Sequence, residues 1–381
     1  MPKLPKPLQK KLAKRHEDFS VRELPEYGHM IDFSSNDYLG FAQSETLFDA
    51  THQLLVGRNL KVNGATGSRL ISGNHPLYAE AETVIAHFHQ CESALIFNSG
   101  YDANVGFFSS VPQKNDVILY DELCHASIRD GIRLSGAKSY KFGHNDFEDL
   151  ERLIQKFQSD ETNIYIATES VFSMDGDSPN LEELVAVSEK YKGHLVVDEA
   201  HALGVFGAYG NGLVQQLQLQ DKIFARIMTF GKALGCHGAA VLGSSELKSY
   251  LVNFARSFIY TTGLSPHAVA NILVAYRHMS DCVEPRERLT GNIIHFNQLK
   301  NLRNLKPIFV YSKSAIQCAI IPGNEKAKNT AAQLQQKGFD VKPILSPTVP
   351  EGQERLRICL HSFNSEAQIS EVLEELARLL F

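Results

Sequence analysis

At 381 residues, 43% hydrophobic and 21% charged, the chain is long enough for two lobes and has the composition of a globular protein with a sizeable core. Its net charge of -5 gives no electrostatic reason to expect nucleic acid as a partner, and no run of 18 apolar residues is present to span a membrane. The six cysteines (Cys91, Cys124, Cys236, Cys282, Cys318 and Cys359) are scattered without a C-x-x-C spacing, so reduced thiols in a cytoplasmic protein are expected.

In chain order, the start is basic: Lys3, Lys6, Lys10, Lys11, Lys14 and Arg15, with no apolar stretch behind them to make a signal peptide. Residues 1–45 are expected to form an N-terminal arm, a short basic helix followed by a strand and turn at Ile31-Asp-Phe-Ser-Ser-Asn-Asp-Tyr-Leu-Gly40. From 46 to 275, apolar runs alternate with amphipathic segments, the pattern of an α/β domain around a mostly parallel sheet. Its candidate strands are Ser93–Asn98, Asp116–Tyr120, Lys138–Phe142, Asn163–Glu169, His194–Asp198, Arg226–Phe230 and Ala239–Gly243, with helices such as Pro76–Phe88 and Leu181–Lys192 between them. The polar stretch Met279–Glu287 reads as the passage into a smaller C-terminal α/β domain, residues 276–381. That domain has strands near Ala315–Ile321 and Arg355–Leu360 and a closing helix at Ser365–Leu380.

Two segments carry the strongest chemical signal. Leu195-Val-Val-Asp-Glu-Ala-His201 is an apolar strand ending in an acid and a histidine, and Thr229-Phe-Gly-Lys-Ala-Leu-Gly235 sets a lysine among small residues. An acid that keeps a heterocyclic nitrogen protonated and a lysine that can join an aldehyde are what pyridoxal phosphate requires of a protein. Around Lys232, small apolar neighbours let the amine approach a ring-borne aldehyde, and desolvation favours its neutral form. Asp198-Glu-Ala-His201 also spells the metal-binding strand end of a nucleic-acid helicase. That reading needs a phosphate loop, and the only Gly-Lys pair has Arg226 in place of the first glycine and Ala233 in place of the hydroxyl. Asn98-Ser-Gly-Tyr-Asp-Ala-Asn104 follows a strand and opens a helix, a place suited either to an anion or to a plain glycine turn. His87, His89 and Cys91, spaced by two on a helical segment, point in different directions and make no expected metal site.

Together these segments strongly resemble the α-oxoamine synthases, fold-type-I pyridoxal phosphate enzymes that condense an amino acid with an acyl thioester. The resemblance also takes in Ser35-Asn-Asp-Tyr-Leu-Gly40, Gly64-Ala-Thr-Gly-Ser-Arg-Leu-Ile-Ser-Gly-Asn-His75, His125-Ala-Ser127, His144-Asn-Asp146, Thr168-Glu-Ser-Val-Phe-Ser-Met-Asp-Gly-Asp177 and Ile259-Tyr-Thr-Thr262, and so runs across nearly the whole chain. It implies a mostly parallel seven-stranded sheet, pyridoxal 5'-phosphate as cofactor and a homodimer with the site at the subunit interface. Lys232 would hold the cofactor and move the substrate's α-proton. Asp198 would pair with the ring nitrogen, His125 stack on the ring, and His201 contact its phenolic oxygen with Ser173 close by. Gly100, Tyr101 and Thr229 would hold the phosphate, with Thr262 reaching in from a second subunit. Asn36 and Arg357 would bind the amino-acid carboxylate, with Arg355 as the alternative to Arg357. The compact length, without long terminal extensions, and Gly235-Cys-His-Gly-Ala-Ala-Val-Leu-Gly243 resemble the branch that joins L-alanine to a pimeloyl thioester, on coenzyme A or acyl carrier protein, in biotin biosynthesis. One departure is Ala202, where many members carry glycine after the histidine. The branches that use glycine or serine share the catalytic set and stay open.

Overall fold

The computed structural model describes residues 4–24 and 28–381. The expected N-terminal arm also takes in residues 1–3 and 25–27, which lie outside the described residues. The chain divides into two compact units. The larger holds Asn36–Ser173 and Ser178–Arg288; the smaller holds the described residues up to Ser35, Met174–Asp177 and Leu289–Phe381.

The larger unit is built on a seven-stranded sheet: β1 (Ser93–Phe97), β2 (Val117–Asp121), β3 (Lys138–Phe142), β4 (Ile164–Glu169), β5 (His194–Asp198), β6 (Ala225–Thr229) and β7 (Ala239–Gly243). Their order is β1-β7-β6-β5-β4-β2-β3. Strand β7 runs antiparallel to both its neighbours, and every other pairing in the sheet is parallel. The expected fold is therefore the observed one, with strand ends displaced by no more than a residue. Parallel strands buried on both faces carry unbroken apolar runs, and β5 shows why (Leu195-Val196-Val197). Val196 packs with Phe107, Ile128 and Ile227 on one face, while Leu195 and Val197 pack with Leu184 and Val214 on the other.

That alternation continues past the strand and separates two neighbouring acids. Asp198 meets the helix Gly100–Ser110 through Asn104, whereas Glu199 turns to Arg226 of β6. Glu199 Oε2 accepts from Arg226 Nε at 3.0 Å and Nη2 at 2.8 Å, and its Oε1 accepts the Val214 N–H at 3.0 Å. His89 lies in the same core. Its carbonyl accepts from Arg226 Nη1 at 3.1 Å, and its ring meets the Tyr276 hydroxyl at 3.0 Å. The second acid of Asp198-Glu-Ala-His201 is thus a core ion pair that fastens β5 to β6.

The smaller unit has an antiparallel sheet of β8 (Ile316–Ile320), β9 (Lys342–Ile344) and β10 (Arg355–Cys359), in the order β9-β10-β8. Its closing helix, Glu366–Leu380, begins at a capping box in which Ser365 and Gln368 satisfy each other's backbone N–H. The expectation of a polar passage at Met279–Glu287 is corrected. Met279 is fully buried in the helix Pro266–Asp281, and a second helix, Glu284–Leu302, starts almost at once. Among the described residues no helix is long and apolar enough to cross a membrane.

Removing one partner of a buried ion pair leaves the other charge uncompensated. Arg226→Leu should therefore cost about 3–5 kcal/mol and lower the Tm, while adding Glu199→Gln should recover part of the loss. Calorimetry of the three proteins checks this; equal Tm values for wild type and Arg226→Leu would refute it.

Candidate active site

The carboxyl ends of β2, β4, β5 and β6 bring Asp121, Glu169, Asp198 and Thr229 to one edge of the sheet, where open α/β sheets place their ligands. Asp198 is buried, with Oδ1 accepting the Ala200 N–H at 2.9 Å and Oδ2 accepting from Asn104 Nδ2 at 2.8 Å. It forms no ion pair among the described residues. Glu169 stands opposite it across the β4–β5 pairing and accepts the His125 N–H at 2.6 Å. Burial, reinforced by the neighbouring Asp198 charge, pushes the Glu169 carboxyl well above its usual range.

His125 is the N-cap of the helix Ala126–Leu134. Its Nδ1 accepts the Ser127 N–H at 3.2 Å and lies 2.8 Å from Ser127 Oγ, which places the ring proton on Nε2. Burial holds its pKa below the ordinary value, against the opposing pull of Asp198.

Lys232 follows β6 in a tight loop. Its Nζ lies 2.9 Å from His201 Nε2; His201 Nδ1 lies 2.7 Å from the Tyr38 hydroxyl, which donates to Asn36 Oδ1 at 3.1 Å. The packing has a local cause. Gly235 has φ +61°, and a Cβ there would run into the backbone of Phe41 and Ala42. Only glycine lets the lysine loop lie against the segment that carries Asn36 and Tyr38.

Gly100 opens the helix Gly100–Ser110, whose N-cap Ser99 accepts the Asp102 N–H at 3.0 Å. A Cβ at position 100 would collide with the Thr229 hydroxyl, so the glycine brings the helix's first N–H groups beside that threonine. The Tyr101 side chain is half exposed, and its hydroxyl donates to Asp130 Oδ2 at 2.9 Å. Exposed Thr262 accepts from Asn98 Nδ2 through its carbonyl at 2.6 Å, so within one chain it borders the turn that leads to Gly100. Ser173 is buried beyond β4.

In the smaller unit, Arg355 and Arg357 are two apart on β10 and share a face. The Arg355 guanidinium is committed to the Gln353 carbonyl at 2.8 Å, the Met174 carbonyl at 3.2 Å and the Asp175 carboxylate. Arg357, half-buried, pairs along the backbone with Lys342 and Cys318.

Four residues in these contacts had no role assigned from sequence: Tyr38, Asn104, Ser127 and Glu169. All four lie inside quoted motifs, and Asn104 stands one turn beyond Gly100. A polar residue one turn after an anion-binding turn was the available signal.

The aminotransferase class I and II family model matches residues 28–376. An 8-amino-7-oxononanoate synthase of Emericella nidulans is 39% identical over 391 aligned residues, covering 98% of this chain and 95% of that protein. The crystal structure of 8-amino-7-oxononanoate synthase from Francisella tularensis is 30% identical with a TM-score of 0.78, covering 92% of this chain and 97% of that one. A serine palmitoyltransferase from S. paucimobilis, solved with bound PLP and myriocin, is 26% identical with a TM-score of 0.89, covering 98% of this chain and 96% of that one. The extent of the family match and the identity held across almost the whole chain show that this protein belongs to the aminotransferase class I and II family and, within it, to the α-oxoamine synthases.

Proposed function

We propose that the chain condenses L-alanine with a pimeloyl thioester, on coenzyme A or acyl carrier protein, releasing thiol and carbon dioxide and forming 8-amino-7-oxononanoate for biotin biosynthesis. The observation that carries this reading is the pairing of Lys232 with His201 at the sheet edge that also holds Asp198. The relatives named for this reaction support the choice of branch.

The residues present fit pyridoxal 5'-phosphate. Gly100, Tyr101 and Thr229 offer a helix N-terminus and a hydroxyl to a phosphate, and only a glycine fits beside that hydroxyl. Asp198, buried with two N–H donors and no cation, has the charge a protonated ring nitrogen needs. When bound, the cofactor supplies the electron sink that stabilises a carbanion at the amino acid's α-carbon.

This chain's residues do the rest. Lys232 Nζ removes and returns the α-proton, and His201 Nε2, 2.9 Å away, orients the amine and is placed to reach the cofactor's phenolic oxygen, with Ser173 alongside. Asp198 holds the ring proton in place, and His125 covers one face of the ring. Asn36 and Arg357 bind the substrate carboxylate, the arginine as a planar fork. Arg355 is less suited to that task because its donors already serve Asp175, Met174 and Gln353. The working enzyme is a cytoplasmic homodimer in which Thr262 of a second copy completes the phosphate site; the exposure of Thr262 supports the dimer.

Borohydride reduction of the cofactor-loaded protein should fix the cofactor to the peptide containing Lys232; mass spectrometry that finds it on another lysine would overturn the assignment.

Asp198→Asn should bind cofactor but lose turnover by several powers of ten, about 4 kcal/mol or more, because a neutral amide cannot hold the ring proton. The same change removes the charge that favours protonated His125, so the histidine's pKa should fall further below its ordinary value. NMR titration of the ring reads that shift, and near-normal turnover would place Asp198 outside the site.

Arg357→Ala should weaken L-alanine binding without altering the cofactor spectrum, and Arg357→Lys should restore it only in part. Arg355→Ala should instead lower the Tm, since it removes the arginine from its ion pair with the buried Asp175 carboxylate. Thiol should be released from pimeloyl-CoA only with alanine present. Preference for glycine with acetyl-CoA, or for serine, would move the enzyme to another branch.

A further inference from the structure

Asn104 is 2% exposed on the helix Gly100–Ser110, one turn beyond the glycine beside Thr229. Both hydrogens of its amide are committed: Nδ2 donates to Asp198 Oδ2 at 2.8 Å and to Ser127 Oγ at 3.0 Å. Ser127 Oγ in turn lies 2.8 Å from His125 Nδ1. Because His125 Nδ1 already accepts the Ser127 N–H and so carries no proton, the serine hydroxyl donates to it. One amide therefore touches the acid and, through one hydroxyl, the histidine.

Among the described residues the buried amide oxygen has no hydrogen-bond partner. Turning the amide over would not relieve this, since it would set that oxygen against the Asp198 carboxylate. A leucine would remove this unmet acceptor but would leave buried Asp198 Oδ2 without its donor. The asparagine keeps one unmet atom, and its two donors serve Asp198 and Ser127.

We propose that Asn104 is a positioning residue for the condensation. It holds the Asp198 carboxylate in the rotamer that faces the ring nitrogen and, through Ser127, keeps the His125 ring turned to cover the ring face. The proposal rests on the function given above, because it takes Asp198 and His125 as the cofactor's partners. A single side chain then sets two contacts, and altering it should disturb both together. Ser127→Ala should disturb only one.

The test uses the full-length protein, stripped of cofactor and titrated with pyridoxal 5'-phosphate, with ¹⁵N spectra of His125 recorded alongside. Asn104→Leu should weaken cofactor binding by roughly tenfold or more and move the His125 ring signals. Ser127→Ala should move those signals while holding the Kd within roughly threefold. Asn104→Asp supplies a rescue that a merely structural role would not show. Its carboxyl repels Asp198 when both are ionised, but once protonated it can donate as the amide did. Cofactor affinity of this variant should therefore recover, relative to wild type, as the pH falls from 8 to 6. The other charged groups acting on this cluster, Glu169, Lys232, Asp121, Arg129 and Asp130, are the same in both proteins. Wild-type affinity and unmoved His125 signals in Asn104→Leu would overturn the proposal. If that variant does not fold, absence of the low-pH recovery in Asn104→Asp overturns it instead. A wild-type protein that binds no cofactor would sink the functional reading itself, a result distinct from variants that merely match a functional wild type.

Discussion

Two adjacent acids at the end of one buried strand must face opposite ways, and the site depends on that division. Asp198 shares its face with Val196 and the helices that carry Asn104 and His125; Glu199 shares the other with Val197 and Val214. A strand permits no other arrangement, because successive side chains alternate across the sheet. The buried charge of Glu199 is met by Arg226, which locks β5 to β6 and so fixes the spacing between Asp198 and the loop that carries Lys232. Among the described residues Asp198 is left with backbone and amide donors alone. The core ion pair and the acid proposed for the cofactor come from the same dipeptide.

Glycines set the other distances. Gly100 brings a helix N-terminus up to Thr229, and Gly235 in its left-handed conformation lets the lysine loop meet residues 41 and 42. Both are close backbone approaches that a single methyl group would prevent. Chemistry at this edge of the sheet therefore relies on missing side chains as well as on those that react.

Much of this was legible in the sequence, for identifiable reasons. Strands buried on both faces leave unbroken apolar runs, so the central strands of the large sheet could be placed to within a residue at each end; the edge strand Lys138–Phe142, polar and largely exposed, carries no such run. The strand Lys342–Ile344 was not legible, since three residues containing a proline show no alternation. At Met279–Glu287 a proline and the polar composition read as the passage into the last lobe. Glu284 and Pro285 instead occupy the first turn of a helix, where a missing N–H costs nothing and acidic side chains suit the dipole. Lys232, Asp198 and His201 stood out because charged or titratable groups beside apolar runs are conspicuous. Asn104 did not, because a neutral amide within an amphipathic helix is unremarkable until its two partners are known. The choice between Arg355 and Arg357 had no sequence signal; the proposal of Arg357 draws its support from the contacts of Arg355 with Asp175, Met174 and Gln353.

The chain from Lys232 to Asn36 has a direction that follows from which groups can donate. An ammonium has no lone pair, so a protonated Lys232 can only donate to His201 Nε2. The histidine's proton then sits on Nδ1 and points to the Tyr38 oxygen at 2.7 Å. That oxygen, already accepting, sends its own hydrogen to Asn36 Oδ1 at 3.1 Å. That bond sets which way the Asn36 amide faces. The lysine's protonation and the orientation of the asparagine proposed to hold the substrate are thus two ends of one hydrogen-bonded line.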